Sequence, residues 1–504
     1  MTTRSYWTVR PGLPRFTPLK RKLAVDVAVI GGGITGISTA YALQKAGLSV
    51  ALFERDRFGR GDTGHTTAHV TCVTDQRLNK LVSSFGRDHA QAAWDAGRAA
   101  IQHIHDTVHA ENIDCDFAWL PGYLHASPDE STEDGDLKED ANLAAALGFG
   151  AVYEPKIPLF GTHGVRFPDQ ARFNPLKYLA GLLRSFGPKA HAYEASEVTE
   201  VQEDPLRLTV NGHEVHCGYL VIATHVPLTG LKNVLRATVF QSKLAAYTSY
   251  AIGAPVPKGS FPEALFWDTA DPYRYLRVEP RARDSFAIYG GEDHKTGQED
   301  DPAGCFGRLE KGLAQLHSAA KVTHRWSGQV IETPDGLPYI GEVADKQFVA
   351  TGFAGNGMTF GTVAAMMAAD RFASRKNPWT NLFDPARTKV LTGVWDYLRE
   401  NLDYPYYLIR DRLAGSEGTE LSAVKKGEGK ILRLKGERVA ASRDNAGKVI
   451  TVSPVCTHLG CLVRWNAAER TWDCPCHGSR FAASGEVIAG PAETALEKRT
   501  VDCE

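Results

Sequence analysis

A chain of 504 residues is long enough for two to four domains and at least one large core. Its 43% apolar and 23% charged residues are ordinary globular values, which excludes fibrous and disordered classes. With 57 Lys and Arg against 59 Asp and Glu, the net charge of -2 creates no long-range field for nucleic acid, and no nucleic-acid partner is expected.

The first segment, Met1 to Lys22, carries charges and prolines but no apolar stretch of the secretory kind. No stretch anywhere has the roughly 18 apolar residues of a bilayer-spanning helix, so no transmembrane segment and a cytoplasmic location are expected. Val25–Ile30 reads as a buried strand, Ile34–Ala46 as a helix stopped before Gly47, and Leu48–Phe53 as a second apolar strand. This order is a parallel βαβ unit. At its first turn stands Gly31-Gly-Gly33-Ile34-Thr35-Gly36, a G-x-G-x-x-G that opens the helix. The glycines permit a tight turn and close backbone approach to a pyrophosphate, and the helix N-terminus supplies free N–H groups to it. Glu54 ends the second strand, where a carboxylate can accept hydrogen bonds from a ribose. The glycines alone leave FAD and NAD both open. Asp62–Thr71 (DTGHTTAHVT) is small and hydroxyl-rich, suited to a backbone passing along a large cofactor.

Further along, His103, His105 and His109 fall in an amphipathic helical pattern with no carboxylate ligand at oxygenase spacing, so no metal is assigned there. Glu130–Glu139 reads as a solvated loop, Arg207–Val210 and Tyr273–Glu279 as strands, and Gly218–Thr224 as a buried strand returning to the first sheet. Gln347–Gly361 is a short strand entering a glycine-rich turn, followed by the helix Thr362–Phe372. Arg387–Leu413 reads as a helical, aromatic-rich connector. After Gly415 the chain changes to short strands and tight turns, which marks a domain boundary.

Of nine cysteines, Cys456, Cys461, Cys474 and Cys476 crowd together near the C-terminus, a distribution that points to a metal site. Cys456-Thr-His458 and Cys474-Pro-Cys476-His477 give each loop one thiolate and one imidazole. In a Rieske centre one iron takes two thiolates and the other two imidazoles, so Cys456 and Cys474 would bind the first iron and His458 and His477 the second. The alternative for such a donor set is a structural Cys₂His₂ zinc site. This region, residues 418–502, resembles the cytochrome bc-type Rieske proteins. The resemblance implies a disulfide between Cys461 and Cys476, a Ser479 hydroxyl directed at the cluster, and a shielding loop at Gly490-Pro491-Ala492. Phe481 departs from the tyrosine of the high-potential members, which implies a lower reduction potential.

Thr333-Pro-Asp335-Gly-Leu-Pro338-Tyr-Ile-Gly341, Gly352-Phe-Ala-Gly355-Asn-Gly357-Met358 and Trp326-Ser-Gly328 resemble the flavin-closing segments of the D-amino-acid oxidase and glycine oxidase-like family, over residues 24–375. The resemblance implies FAD and an amine or amino-acid substrate that gives up a hydride. By position, Gly31, Gly33, Gly36 and Glu54 would hold the adenosine diphosphate half, with Val198 at the adenine and Ile34, Thr35 and Arg55 among the cofactor-binding residues. Thr66, Thr67, Ala68, Ala223, Thr224, Gly328, Gly352, Gly357 and Met358 complete the flavin set. His65 matches the segment where dimethylglycine and sarcosine dehydrogenase-like relatives carry a covalently flavinylated histidine; a hydrogen bond to cofactor or loop is the favoured reading here. Alternation puts Tyr273, Tyr275 and Arg277 on one strand face, where Arg277 would pair a substrate carboxylate. Glu292-Asp293-His294-Lys295 offers acid–base groups at a strand end, His294 and Lys295 foremost.

The expected architecture is α/β: a Rossmann-like FAD-binding domain with a mixed-sheet substrate domain over residues 1–385, a connector over 386–416, and a small all-β Rieske domain over 417–504. FAD-binding segments are expected near 24–75, 190–230 and 325–375, and substrate-binding segments near 76–189 and 231–324. The expected function is an FAD-dependent dehydrogenase of amines or amino acids that passes single electrons through a [2Fe–2S] cluster to an external acceptor, protein or quinone. The alternatives are an oxygen-using oxidase with a structural or regulatory Rieske domain and a non-catalytic electron carrier or redox sensor.

Overall fold

The computed structural model describes residues 4–9, 12–127, 134–227, 243–387 and 416–500. Strand Leu23–Ile30 ends in a fully buried Val27-Ala28-Val29-Ile30 run, as a strand covered on both faces must. It pairs in parallel with Val50–Phe53 on one side and His213–Ile222 on the other. Gln347–Thr351 and Ala190–Tyr193 extend the parallel arrangement, Tyr339–Ala344 adds an antiparallel edge, and the hairpin Val198–Gln202 and Arg207–Val210 completes eight strands. Helices Ile34–Lys45 and Gly357–Phe372 lie against each other. Gly361 makes this contact close, since a Cβ there would fall 2.8 Å from Thr35 Oγ1.

The second sheet has nine strands, mostly antiparallel, with one parallel pair between Leu265–Asp268 and Ala118–His125. This is the mixed sheet expected of the substrate side. Residues 416–500 form a three-stranded and a four-stranded sheet. Trp472, Phe481, Val463 and Leu496 pack there with Cys456, Cys461 and Cys474 in one small core. A core of that size is stabilised by covalent and metal cross-links as much as by apolar burial.

Three sequence expectations change. The acidic stretch Glu130–Glu139 is not all loop: helix Asp134–Ala146 begins inside it, because Leu137, Ala141 and Ala144 bury one face at helical spacing. The helix expected at Thr362 starts at Gly357, since Met358, Thr359 and Phe360 continue its buried surface; of the glycines read as a turn, Gly357 and Gly361 belong to the helix, while Gly352 and Gly355 precede it. The strand expected from Tyr273 runs from Tyr275 to Pro280. The expected connector lies, apart from Ala386, Arg387 and Ser416, outside the described residues.

The small all-β unit is seated directly on the larger one. Gln329 Nε2 donates to Gly478 O at 2.8 Å, and Gln298 Nε2 donates to Pro475 O at 3.0 Å. Gly297 and Gly478 both have positive φ, and a Cβ on either would meet the opposite unit, at 2.8 Å from Pro475 N and 2.3 Å from Ala246 Cβ. Glycine is required on both sides of this contact. Arg55 Nη2 donates to Ile488 O at 2.6 Å, and Ser327 donates to the Glu469 carboxylate.

Candidate functional site

A cavity of about 1520 Å³ runs from the glycine turn to the mixed sheet. That is larger than the roughly 300–1,000 Å³ of an ordinary ligand pocket, as a dinucleotide-sized occupant demands. At one end lie Gly31, Gly33, Ile34, Thr35, Glu54, Arg55, Val198, Ala223 and Thr224. A Cβ on Gly31 would sit 2.4 Å from Ala223 O, and one on Gly36 would sit 1.9 Å from Gly31 O. Gly36 therefore works behind the wall, letting the helix approach the strand. Glu54 accepts from Gly32 N at 2.8 Å and Asp56 N at 2.8 Å, which fixes the carboxylate at the strand end while burial pushes its pKa up. The glycine cradle, the helix N-terminus and this carboxylate fit FAD.

At the other end the lining includes His65, Thr66, Thr67, Gly328, Gly357 and Met358. His65 Nδ1 lies 3.0 Å from Gly61 O, and its own carbonyl accepts from Trp326 Nε1 at 2.7 Å, so ring and backbone are both tied to the loop. Ala68 and Gly352 stand outside the lining. Ala68 has φ +56°, and Gly352, at φ +73°, has no room for a Cβ because of Thr333 Cγ2 at 2.4 Å. Both shape the loops that carry their neighbours.

The expected catalytic set is corrected in two places. Arg277 does not reach the cavity. It is fully buried beneath Trp7, donates to Thr67 O at 3.1 Å and to Ala68 O, and pairs with Glu279, so it braces the flavin-side loop from behind. His294 also turns away, with Nε2 3.0 Å from Tyr250 Oη and Nδ1 2.9 Å from Lys295 O. The cavity instead receives Asp293. A bulge sets Glu292 and Asp293 opposite the single Ser249, with Glu292 at φ +60°, and this re-aims the chain. Glu292 then pairs outward with Arg308 at 2.5 Å. Tyr273 and Tyr275 do line the cavity, and Tyr275 Oη lies 2.8 Å from Ser249 Oγ.

Asp75 is the residue the sequence reading passed over. Its Oδ2 accepts from Gly355 N at 2.6 Å at the start of the flavin-side helix, and its carboxyl faces the cavity. The only signal was its position just after the hydroxyl-rich segment. Burial pushes Asp75 up to about 6; burial, then Asp75 and Glu292 nearby, push Asp293 up to about 7. Such carboxyls can take and return a proton near neutrality. A raised carboxyl stabilises the fold below its ordinary pKa and loses that contribution as pH rises through its folded value. Asp293→Asn is therefore expected to raise the thermal midpoint by a few degrees at pH 8 and by much less at pH 5. Differential scanning calorimetry without substrate, at both pH values, checks this; an equal change at both would refute it.

In the small unit two loops repeat one geometry. Gly460 N donates to Cys456 O and Gly478 N to Cys474 O, both at 3.0 Å, while Cys456 N and Cys474 N donate to Cys461 O and Ser479 O, both at 2.8 Å. The loop tips carry His458 and His477 with ring centroids 4.9 Å apart. Cys456 and Cys474 are buried and unbridged, whereas Cys461 and Cys476 form a disulfide that joins the loops. The Cys474 sulfur lies within 4.8 Å of both disulfide sulfurs. Two thiols and two imidazoles thus remain as ligands, which fits a Rieske [2Fe–2S] cluster. Ser479 is fully buried and accepts from Ala492 N at 3.1 Å, so the Gly490–Ala492 segment closes over the centre. Phe481 is also fully buried. Phe481→Tyr is expected to raise the cluster potential by roughly 40 mV, the worth of one added hydrogen bond of about 1 kcal/mol. A redox titration followed by electron paramagnetic resonance would expose an unmoved potential, which would refute this.

His477 and Gly478 line a second cavity of about 980 Å³ together with Asp75, Tyr273, Asp293 and Lys295. Three of these, Asp75, Tyr273 and Asp293, also line the flavin cavity. The His103–His109 segment stays apart from both, on helix Arg87–Ala110, with the His105 and His109 rings 4.3 Å apart.

Residues 26–371 match the family model "FAD dependent oxidoreductase", and residues 419–500 match "Rieske [2Fe-2S] domain". A Rieske 2Fe-2S iron-sulfur protein of Bacillus subtilis (strain 168), YhfW, is 32% identical over 99% of this chain and 98% of its own length. Gamma-glutamylputrescine oxidoreductase of Escherichia coli (strain K12) is 23% identical over 79% of this chain and 95% of its own. The crystal structure of glycine oxidase from Geobacillus kaustophilus superposes with a TM-score of 0.59 at 19% identity, covering 72% of this chain and 99% of that one. Among the described residues no helix is long and apolar enough to cross a membrane. Glycine cradle, paired Cys–His loops and family matches agree: this chain belongs to the FAD-dependent oxidoreductase family and carries a Rieske [2Fe–2S] domain behind its flavin unit.

Proposed function

We propose that this protein is an amine or amino-acid dehydrogenase that delivers electrons one at a time, through its Rieske cluster, to an external acceptor. The observation that carries the reading is the shared wall: Asp75, Tyr273 and Asp293 border both the flavin cavity and the cavity reached by His477. Bound FAD would supply the two-electron acceptor and the cluster a one-electron relay. Asp293 and Asp75 are the groups suited to take the proton of a substrate ammonium, since only a neutral amine releases hydride readily. Tyr273 and Tyr275 would orient the donor. The glycine oxidase and gamma-glutamylputrescine oxidoreductase likenesses favour a C–N donor, one an amino acid and the other an amine conjugate. His458 is flanked by exposed Val455 and Leu459, an apolar approach suited to a protein or quinone acceptor.

Anaerobic stopped-flow across a panel of amines and amino acids tests this. The expected result is flavin bleaching first and cluster bleaching second, within one turnover. Reduced flavin that, on later mixing with dioxygen, reoxidises while the cluster stays oxidised would make the protein an oxidase. A flavin untouched by every C–N donor would remove the enzyme reading.

A further inference from the structure

The flavin cavity is not built by the flavin unit alone. Its adenosine end, marked by Glu54, Arg55 and Val198, is closed on the open side by Glu486, Ile488, Ala489 and Ala495 of the Rieske unit. Arg55 is the latch between them. It follows the strand-end carboxylate directly in sequence, lines the cavity, and donates from Nη2 to Ile488 O at 2.6 Å. Ile488 is 44% exposed and is one of six large apolar side chains at least 37% exposed among the described residues. An isolated apolar side chain on a surface requires no explanation, but one bordering a ligand cavity has a surface to cover.

We infer that the strand Val487–Ala489 and the segment to Ala495 form the fourth wall of the FAD site, recognising the adenosine half of the cofactor. The apolar side chains of Ile488, Ala489 and Ala495 suit a flat purine, and the Glu486 carboxylate suits ribose hydroxyls as an acceptor. Arg55 joins the two walls and stands beside the diphosphate-binding turn, so it serves both contacts. Because the wall belongs to a different unit, cofactor binding and docking of the Rieske unit are linked: each strengthens the other by the same factor. The Rieske domain is thereby a binding element for the flavin as well as its electron outlet.

The test uses the full-length holoprotein and reads cofactor retention rather than turnover. Arg55→Ala and Ile488→Asp are each expected to speed FAD release by about 10-fold, the second by placing a negative charge against the diphosphate-bearing cofactor. Release is followed by flavin fluorescence after dilution, with the electron paramagnetic resonance signal of the cluster confirming that the Rieske unit is intact. Hydrogen exchange gives the reciprocal readout. Amides 486–495 are expected to exchange more slowly in flavin-loaded protein than in flavin-free protein from riboflavin-starved cells. Unchanged release from Ile488→Asp would overturn the inference, even if Arg55→Ala alone weakened binding. Equal exchange in the two forms would overturn it as well.

Discussion

Replacing His477 by alanine is expected to leave anaerobic bleaching of the flavin by substrate intact and to cut turnover with a one-electron acceptor by at least about 100-fold. The imidazole is one of the four ligands left once Cys461 and Cys476 are joined, so its removal empties one position on an iron. Loss of a ligand typically costs such a centre its metal, or its function, by more than an outer-shell change of about 10–100-fold. The flavin end keeps its chemistry as long as the Rieske unit, whose strand Val487–Ala489 borders its cavity, stays docked. The cradle, Glu54 and the two tyrosines lie in the other unit, and His477 is absent from the lining of their cavity. Comparing substrate-driven flavin reduction with steady-state reduction of ferricyanide checks the split. Equal losses in both would mean that the ligand loop supports the flavin site rather than the electron path.

Gly31→Val is expected to yield protein without bound flavin. Gly31 has φ +111°, where a side chain is strained, and its Cβ would meet Ala223 O at 2.4 Å and Ala223 C at 2.8 Å. Neither contact is a flexible side chain that can swing aside. The turn must open, which moves the helix N-terminus and its free N–H groups away from the phosphates. A backbone cost of about 1–3 kcal/mol joins the lost contacts, enough to lower affinity by more than 100-fold. Visible absorbance of the purified protein and equilibrium titration with FAD measure it. A variant that purifies yellow at full occupancy would refute this account of the turn.

What was legible in the sequence was whatever short-range chemistry writes into adjacent positions. The glycine turn, its strand and helix, and the paired Cys–His loops each need only a few neighbours to work, and their spacing carries that need. The cysteine pair found as a disulfide came from likeness to known loops, and the structure holds it so. Asp293 was harder. The strand-end reading put His294 and Lys295 foremost, and only the bulge opposite Ser249 turns Asp293 inward. Arg277 illustrates the same limit: alternation put it beside Tyr275, but Trp7, distant in the chain, covers it and Glu279 claims its charge. The latch from Arg55 to Ile488 joins positions 433 residues apart, beyond any local pattern.

The paired glycines where the two units meet bear on how, under the proposed function, this molecule would exchange charge with its surroundings. With Gly297 against Pro475 and Gly478 against Ala246, the iron centre is clamped too tightly to swing on a tether between donor and recipient. Under the proposed function, current would leave by a stationary port at the His458 tip and the recipient would travel to it. Throughput at saturating fuel should then scale with recipient concentration and with the chance of a fruitful collision, as it does for a fixed terminal rather than a moving arm.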